Sequence, residues 1–372
     1  MQRLSVLQVL PELNSGGVER GTLEIGAALV AGDHTSTVLS NGGRLVGQLE
    51  AEGSRHITLP VHRKSLGSLR LVPRLRRLLQ DGYDIVHVRS RLPAWLIYLA
   101  WRGLPPATRP RLVSTVHGLY SVNAYSAVMT RGERVIAISA CVRNYILENY
   151  PRTDPERIRL IHRGVDPQEF LRGYEPPIEW RDNFYEENPE LENKVLLALP
   201  GRITRWKGQE TFLRLIAQLN CDGETPVHGL LIGGAERKQQ RFLRELKALA
   251  EGLGISDELT FLGHRADMRE VLSQCRVTYN LSTHPEPFGR TMIEALSLGI
   301  PVVAWNYGGA AESVAELFPL GLVPPQNEGA LAETTRTVLR EPEVLPKPNT
   351  FLRATMQRAT LAVYEELAAS PR

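Results

Sequence analysis

Cysteine is scarce in this chain: Cys141, Cys221 and Cys275 are the whole supply in 372 residues. They lie far apart and none belongs to a paired C-x-x-C, which argues against a disulfide framework or a zinc knuckle and fits a reducing compartment. Long apolar runs are missing too. The most membrane-like segment, Leu92 to Trp101, has about half the ~20 residues a helix needs to cross a bilayer. At the start, Leu4 to Leu10 is largely apolar, but Pro11 and the turn Asn14-Ser15-Gly16-Gly17 follow it without a small-residue cleavage pattern. The segment reads as a first β-strand rather than a signal peptide, and a cytoplasmic protein is expected. There is no short-period repeat and no low-complexity tract. Aromatic-basic RNP sequences and zinc-finger spacings are absent, so nucleic acid is not an expected partner.

An apolar fraction of 42% and a charged fraction of 23% are those of an ordinary folded protein. The length suits two domains better than one core. Net charge is only +3, yet it is unevenly spread: residues 1–167 hold 22 Lys and Arg against 13 Asp and Glu, residues 168–372 hold 22 against 28. The basic first half points to something anionic, either a phosphorylated acceptor or an acidic membrane surface. Arg70, Arg74, Arg76 and Arg77, with Arg63 and Lys64 nearby, would rest on lipid head groups; a solvated helix face explains them equally well.

Short β-rich runs alternate with amphipathic stretches. Leu4–Leu10, Thr35–Leu39, Ile85–Val88, Arg111–Val116, Arg134–Ile138 and Ile158–Ile161 read as strands, with helices such as Val18–Ala31 and Leu69–Leu79 between them. A polar stretch, Gly173 to Lys194, precedes a second series: Val195–Leu199, Val227–Ile232, Glu258–Leu262, Val277–Leu281 and Pro301–Ala304. This alternation predicts an α/β protein with two doubly wound, Rossmann-like domains and a cleft between them, the boundary falling near Gly164 to Phe170.

The strongest local signal is Glu286-Pro287-Phe288-Gly289-Arg290-Thr291-Met292-Ile293-Glu294, which follows a strand and opens an apolar helix. The start of such a helix attracts a diphosphate. Glu286 before the helix and Glu294 in its second turn can face one pocket, where carboxylates accept hydrogen bonds from sugar and ribose hydroxyls. The segment resembles the signature of glycosyltransferase family 4, two glutamates separated by seven residues. The resemblance implies that Glu286 holds the transferred sugar, that Glu294 holds the ribose, and that the backbone of Phe288, Gly289 and Arg290 meets the diphosphate or the sugar.

Further segments are similar to the same family in the same order. In Gly201-Arg202-Ile203-Thr204-Arg205-Trp206-Lys207-Gly208, Arg202 and Lys207 would neutralise a leaving diphosphate as two preorganised cations. Gly16 and Gly17, after the first strand, let backbone approach a phosphate or sugar closely. His117-Gly118 resembles the family's His-Gly, where the His meets a hydroxyl of the donor sugar without acting as a base. Ile136-Ala137-Ile138-Ser139 and Ile161-His162-Arg163-Gly164-Val165-Asp166 follow, with Arg163 where the family has Asn. Gly299-Ile300-Pro301-Val302-Val303 and Gly308-Gly309-Ala310-Ala311-Glu312 complete the order.

The family resemblance implies a GT-B fold, with an acceptor-binding domain over 1–167, a nucleotide-sugar domain over 168–349, and a helix within 350–372 returning to the first. It implies a retaining transfer from a UDP or GDP sugar to a saccharide or lipid-linked acceptor, in bacterial lipopolysaccharide or cell-surface polysaccharide synthesis. No D-x-D triplet occurs, so no metal ion or other cofactor is expected; the departing phosphate would take the acceptor's proton. Arg89, Ser90 and Arg91, after the strand Ile85–Val88, are the expected grip on a phosphorylated or acidic acceptor. A nucleotide-sugar epimerase and a non-catalytic nucleotide-sugar scaffold are the competing readings of the same architecture.

Overall fold

The computed structural model describes residues 2–14, 16–223 and 226–371, without the side chains of Leu66 and Asp222. Ser15 of the first glycine turn and Arg372 of the expected terminal segment lie outside them. The chain divides into two compact units, Met1–Arg163 with Arg353–Arg372, and Gly164–Leu352.

The first unit is built on a seven-stranded sheet: β1 (Ser5–Val9), β2 (Thr35–Ser40), β3 (Arg55–Thr58), β4 (Ile85–Val88), β5 (Arg111–Val116), β6 (Arg134–Ala137) and β7 (Ile158–Leu160). Their order is β3-β2-β1-β4-β5-β6-β7, and every pairing is parallel. Parallel strands are covered on both faces by their crossover helices, which is why β1, β4 and β6 are short apolar runs. The helices are α1 (Gly17–Ala31), α2 (Val46–Ala51), α3 (Val72–Leu78), α4 (Arg91–Arg102) and α5 (Ala140–Asn149). Ser139 caps α5 by accepting from the Val142 amide at 3.0 Å, a side-chain acceptor for one of the unpaired amides of the first turn. The helix expected over Leu69–Leu79 is split into a 3-10 turn, Leu66–Leu71, and α3. Pro73 has no amide hydrogen and stands where α3 opens, the one part of a helix that tolerates it.

Helix Arg353–Ala369 belongs to this first unit. Met356, Val363, Tyr364 and Leu367 enter the cluster formed by Leu4, Val6, Ile25, Ile85 and Val113, each buried side chain contributing about 1.5–3 kcal/mol. Arg134 and Arg159 both pair with Glu366 on the same helix.

Tyr364 also completes a buried polar chain under the sheet. The Arg89 guanidinium donates to Gln8 Oε1 from Nε at 3.0 Å and from Nη2 at 2.7 Å, and also bonds the Tyr364 oxygen. The Tyr364 hydroxyl donates to His87 Nδ1 at 2.6 Å, and His87 Nε2 donates to Thr115 Oγ1 at 2.6 Å. Burial, then the charges of Arg89 and Arg163, push the His87 pKa well below its ordinary value, so the ring is neutral and each of its nitrogens has a partner.

The second unit carries a six-stranded parallel sheet: β8 (Val195–Pro200), β9 (Val227–Ile232), β10 (Leu259–Gly263), β11 (Val277–Asn280), β12 (Val302–Trp305) and β13 (Leu322–Val323), in the order β10-β9-β8-β11-β12-β13. Around it lie α6 (Ile178–Glu187), α7 (Gln209–Asp222), α8 (Gln240–Gly252), α9 (Met268–Ser273), α10 (Arg290–Leu298), α11 (Gly308–Leu317) and α12 (Glu328–Arg340). Both units are thus Rossmann-like. In each, strand order reverses once, between β1 and β4 and between β8 and β11, and loops beyond such a reversal diverge to leave room for a ligand. Among the described residues no helix is long and apolar enough to cross a membrane.

Tyr364→Phe leaves His87 Nδ1 and one Arg89 donor unpaired in the interior and is expected to destabilise the first unit by about 1–3 kcal/mol in urea unfolding. Because folding depresses the His87 pKa, the unfolded chain binds a proton that the folded chain refuses. Stability is therefore full above about pH 6.5 and falls as pH drops below it. Thermal melts of His87→Gln should show a shallower fall between pH 7.5 and 5 than the wild type.

Candidate active site

Two loops leave neighbouring strand ends at the reversal in the second sheet. The loop Gly201–Gly208 runs from β8 to α7, and the loop 281–289 runs from β11 to α10. They are pinned together by backbone, the Thr283 amide donating to the Trp206 carbonyl at 2.7 Å. Gly208 makes the closeness possible: its φ is +80°, and a Cβ there would fall 2.0 Å from the Leu281 carbonyl oxygen. No other residue fits.

Between the loops lies an open pocket lined by Pro200, Gly201, Lys207, Asn280, Ser282, Glu286, Gly289 and Thr291 among others. Lys207 Nζ is 2.6 Å from Glu286 Oε1. Asn280 Nδ2 and Ser282 Oγ donate to the other carboxylate oxygen at 2.8 and 3.1 Å. Burial pushes the Glu286 pKa up, but the Lys207 charge and the hydrogen bonds from Lys207, Asn280 and Ser282 outweigh it and hold the carboxyl below its ordinary value. Glu286 is an ionised acceptor with fixed orientation. Its backbone is held as well, its carbonyl accepting from the Gly309 amide at 2.6 Å. Tyr307 donates from its hydroxyl to the Ser282 carbonyl.

Gly289 takes a left-handed φ of +79° and opens α10. Phe288 is buried, edge-on to Phe351 at 6.1 Å between ring centroids, so only its backbone is available to the pocket. Glu294 lies inside α10, 4% exposed, and accepts from Arg290 Nε at 3.1 Å.

Two expectations need correction. Arg202 and Lys207 are not assembled as paired cations: the Arg202 side chain is 71% exposed and its Nη1 lies 3.6 Å from Glu236, while only Lys207 enters the pocket. Arg89 cannot grip an acceptor, because it is 1% exposed and its donors are spent on Gln8 and Tyr364. Ser90 stands at the start of α4 with extended backbone and makes no side-chain cap bond. Arg91 is only part-buried, donating to Ser126 Oγ at 3.1 Å and lying 4.7 Å from the centre of the Tyr120 ring.

In the first unit, Gly16 and Gly17 are exposed at the start of α1. His117 directly follows β5, half-buried, its amide donating to the Tyr120 hydroxyl at 3.3 Å and its Nδ1 lying 2.7 Å from Arg163 Nη2. Asn280, Ser282 and Tyr307 were not legible as site residues. A hint existed in Asn280, a polar residue ending an otherwise buried strand.

The sequence profile described as Glycosyltransferase Family 4 matches residues 15–169, and that of Glycosyl transferases group 1 matches residues 181–355. The chain belongs to glycosyltransferase family 4. A D-inositol 3-phosphate glycosyltransferase from Stackebrandtia nassauensis is 27% identical over 252 residues, 63% of this chain and 55% of that protein. The chain thus spans little more than half the length of that curated relative. A crystal structure of a glycosyltransferase from Rickettsia africae superposes with a TM-score of 0.86 at 28% identity, covering 100% of both chains. Anabaena Alr3699/HepE, solved in complex with UDP and glucose, shares the fold with a TM-score of 0.76 at 23% identity, over 98% of this chain and 95% of the other. The GT-B architecture of these family 4 enzymes is the one described above.

Lys207→Met strands a desolvated carboxylate and should lower the stability of the second unit by about 1–3 kcal/mol. Arg202→Met removes an exposed pair and should stay within about 0.5 kcal/mol of wild type. Chemical denaturation of both variants checks the contrast; equal losses would mean that Arg202 is as deeply engaged as Lys207.

Proposed function

We propose that this family 4 protein transfers a sugar, with retention of anomeric configuration and without a metal ion, from a UDP or GDP sugar to a saccharide or lipid-linked acceptor. The observation that carries the reading is the pocket beside the start of α10, with Lys207 and Glu286 held together at 2.6 Å on adjacent loops.

The two groups divide the work along a nucleotide sugar. Glu286, ionised and immobilised, accepts hydrogen bonds from the hydroxyls of the transferred sugar. Lys207 exchanges part of its contact with Glu286 for the diphosphate oxygens, and the start of α10 at Gly289 and Arg290 adds backbone N–H groups and a positive dipole end. Arg202 reaches the diphosphate by leaving Glu236, an exposed contact that costs little to break. Cations gathered where leaving-group charge develops stabilise the transition state. A carboxylate with three donors already on it is a poor nucleophile, which favours binding over a covalent glycosyl intermediate at Glu286. The departing phosphate then takes the acceptor's proton. We assign Glu294 to the ribose, Gly16 and Gly17 to the donor, and Ser90 and Arg91 to an anionic acceptor. The inositol phosphate named for the Stackebrandtia relative and the UDP in the Anabaena complex are consistent with an anionic acceptor and a uridine donor.

For the first unit we assign the exposed row Arg63, Lys64, Arg70, Arg74, Arg76 and Arg77, with Leu69 half-exposed among them, to the anionic face of the inner membrane. Each such cation near a charged bilayer contributes about 1 kcal/mol.

The deciving assay is donor selection followed by product stereochemistry: one of the UDP or GDP sugars should raise the melting temperature equally with and without EDTA. With that donor, Glu286→Gln should transfer at least about a hundredfold more slowly while melting within a few degrees of wild type. An inverted anomer in the product, or full activity in the variant, would overturn the assignment. Separately, the protein should sediment with phosphatidylglycerol vesicles and not with phosphatidylcholine vesicles, and charge reversal at Arg70 and Arg74 should release it.

A further inference from the structure

Trp206 stands between two cations of the loop Gly201–Gly208, and its indole is half-buried. Lys207 Nζ lies over that ring, 4.5 Å from its centroid, while also lying 2.6 Å from Glu286 Oε1. The stem of Lys207 runs against backbone, since a Cβ built on Gly201 would stand 3.3 Å from its Cδ and 3.6 Å from its Cε. The Lys207 side chain is left 16% exposed. Arg205, on the other side of Trp206 in sequence, is turned to different partners: it pairs with Glu245 and lies 4.6 Å from the centre of the Phe242 ring.

The indole is mounted where the two pocket loops are tied. Its own carbonyl accepts from the Thr283 amide at 2.7 Å and from Thr283 Oγ1 at 3.4 Å, and Glu286 follows three residues after Thr283. The ring and the carboxylate that share Lys207 are therefore linked to each other through backbone. They hold the cation in different ways. Glu286 does so through an oxygen, which other hydrogen-bond donors can also claim. An aromatic face attracts a cation through its quadrupole and presents no oxygen for a hydroxyl to compete over. An ammonium carries three N–H donors, so one resting on a ring still has donors for the oxygens of an anion.

We propose that Trp206 is a positioning residue that keeps the Lys207 ammonium in the pocket while Lys207 gives up part of its contact with Glu286 to a diphosphate. The indole face is the constant partner of the cation and Glu286 the exchangeable one. That a diphosphate is the group received rests on the function proposed above; the hold of the ring on Lys207 does not.

Carbon–proton spectra of protein labelled with 13C-lysine read that hold directly, because the ring current of an indole shifts protons over its face upfield. The Lys207 Hε signals, assigned by their loss in Lys207→Arg, should lie upfield of the ordinary lysine position and remain there when inorganic pyrophosphate saturates the protein. Calorimetric titration with pyrophosphate reads the use of the hold. Trp206→Leu keeps apolar bulk without a π face and should bind at least about fivefold more weakly than wild type, whereas Trp206→Phe restores a face and should bind within about twofold. Pyrophosphate has no ring to stack on an indole, so this difference reports on the cation. Thermal melts of both variants within a few degrees of wild type separate the effect from a loss of fold; should Trp206→Leu fail to fold, the wild-type spectra with and without pyrophosphate still decide. Lys207 Hε signals at the ordinary position, their return to it on adding pyrophosphate, or equal affinities of the Leu and Phe variants would overturn the proposal. So would a loss seen with a UDP sugar and not with pyrophosphate, since the ring would then be stacking on the donor itself. Upfield Lys207 signals in a protein that binds no pyrophosphate and transfers no sugar would instead sink the transferase reading and leave the indole's hold on Lys207 standing.

Discussion

The contact between Lys207 and Glu286 binds together the parts of the second unit that matter for chemistry. A carboxylate drawn out of water costs several kcal/mol unless a cation and further donors accompany it, and here Lys207, Asn280 and Ser282 all converge on Glu286. Those partners come from the β8 loop, the end of β11 and the loop that follows it. Satisfying one buried charge therefore fixes three chain segments at the strand reversal. It also explains why the Gly201–Gly208 loop must close so tightly on Leu281, where only a glycine fits. The same electrostatics that organise the pocket leave it with a cation and an anion side by side.

The first unit solves the opposite problem. Arg89 and Arg163 are both buried, and the side chains bonded to them include neutral polar groups: Gln8 and Tyr364 for Arg89, His117 for Arg163. Cations in such a setting force neighbouring imidazoles to stay uncharged. His87 then offers one donor and one acceptor with the choice settled by its neighbours. Burial pushes the Tyr364 hydroxyl up to about 12, so it too stays neutral, a donor towards His87 and an acceptor from Arg89.

Much of this architecture was legible in sequence, and the exceptions have physical causes. Buried parallel strands are apolar runs, so β4, β5 and β9 could be placed to the residue. The edge strands β3 and β13 escaped: one is the half-exposed Arg-His-Ile-Thr, the other is two residues long. The glutamate and lysine of the pocket could be singled out because their motifs sit beside helix starts. Their partners could not, because hydrogen bonds from Asn280 and Ser282 carry no periodic signal. Arg89 was misread for a related reason. An arginine after a strand looks the same in sequence whether it faces solvent or core, and what decides between them is Gln8, 81 positions away, and a tyrosine on a helix far down the chain.

That distant helix has a consequence for how the protein is made. The first unit needs Met356, Val363, Tyr364 and Leu367 to complete its core, yet residues 164–352, the whole of the second unit, are synthesised before them. Until they emerge from the ribosome, Arg89 and His87 lack their tyrosine and the cluster around Leu4, Val6 and Ile85 lacks its helical members. The second unit, contiguous in sequence, has no such delay. The core of the unit made first is thus the last to receive all its residues.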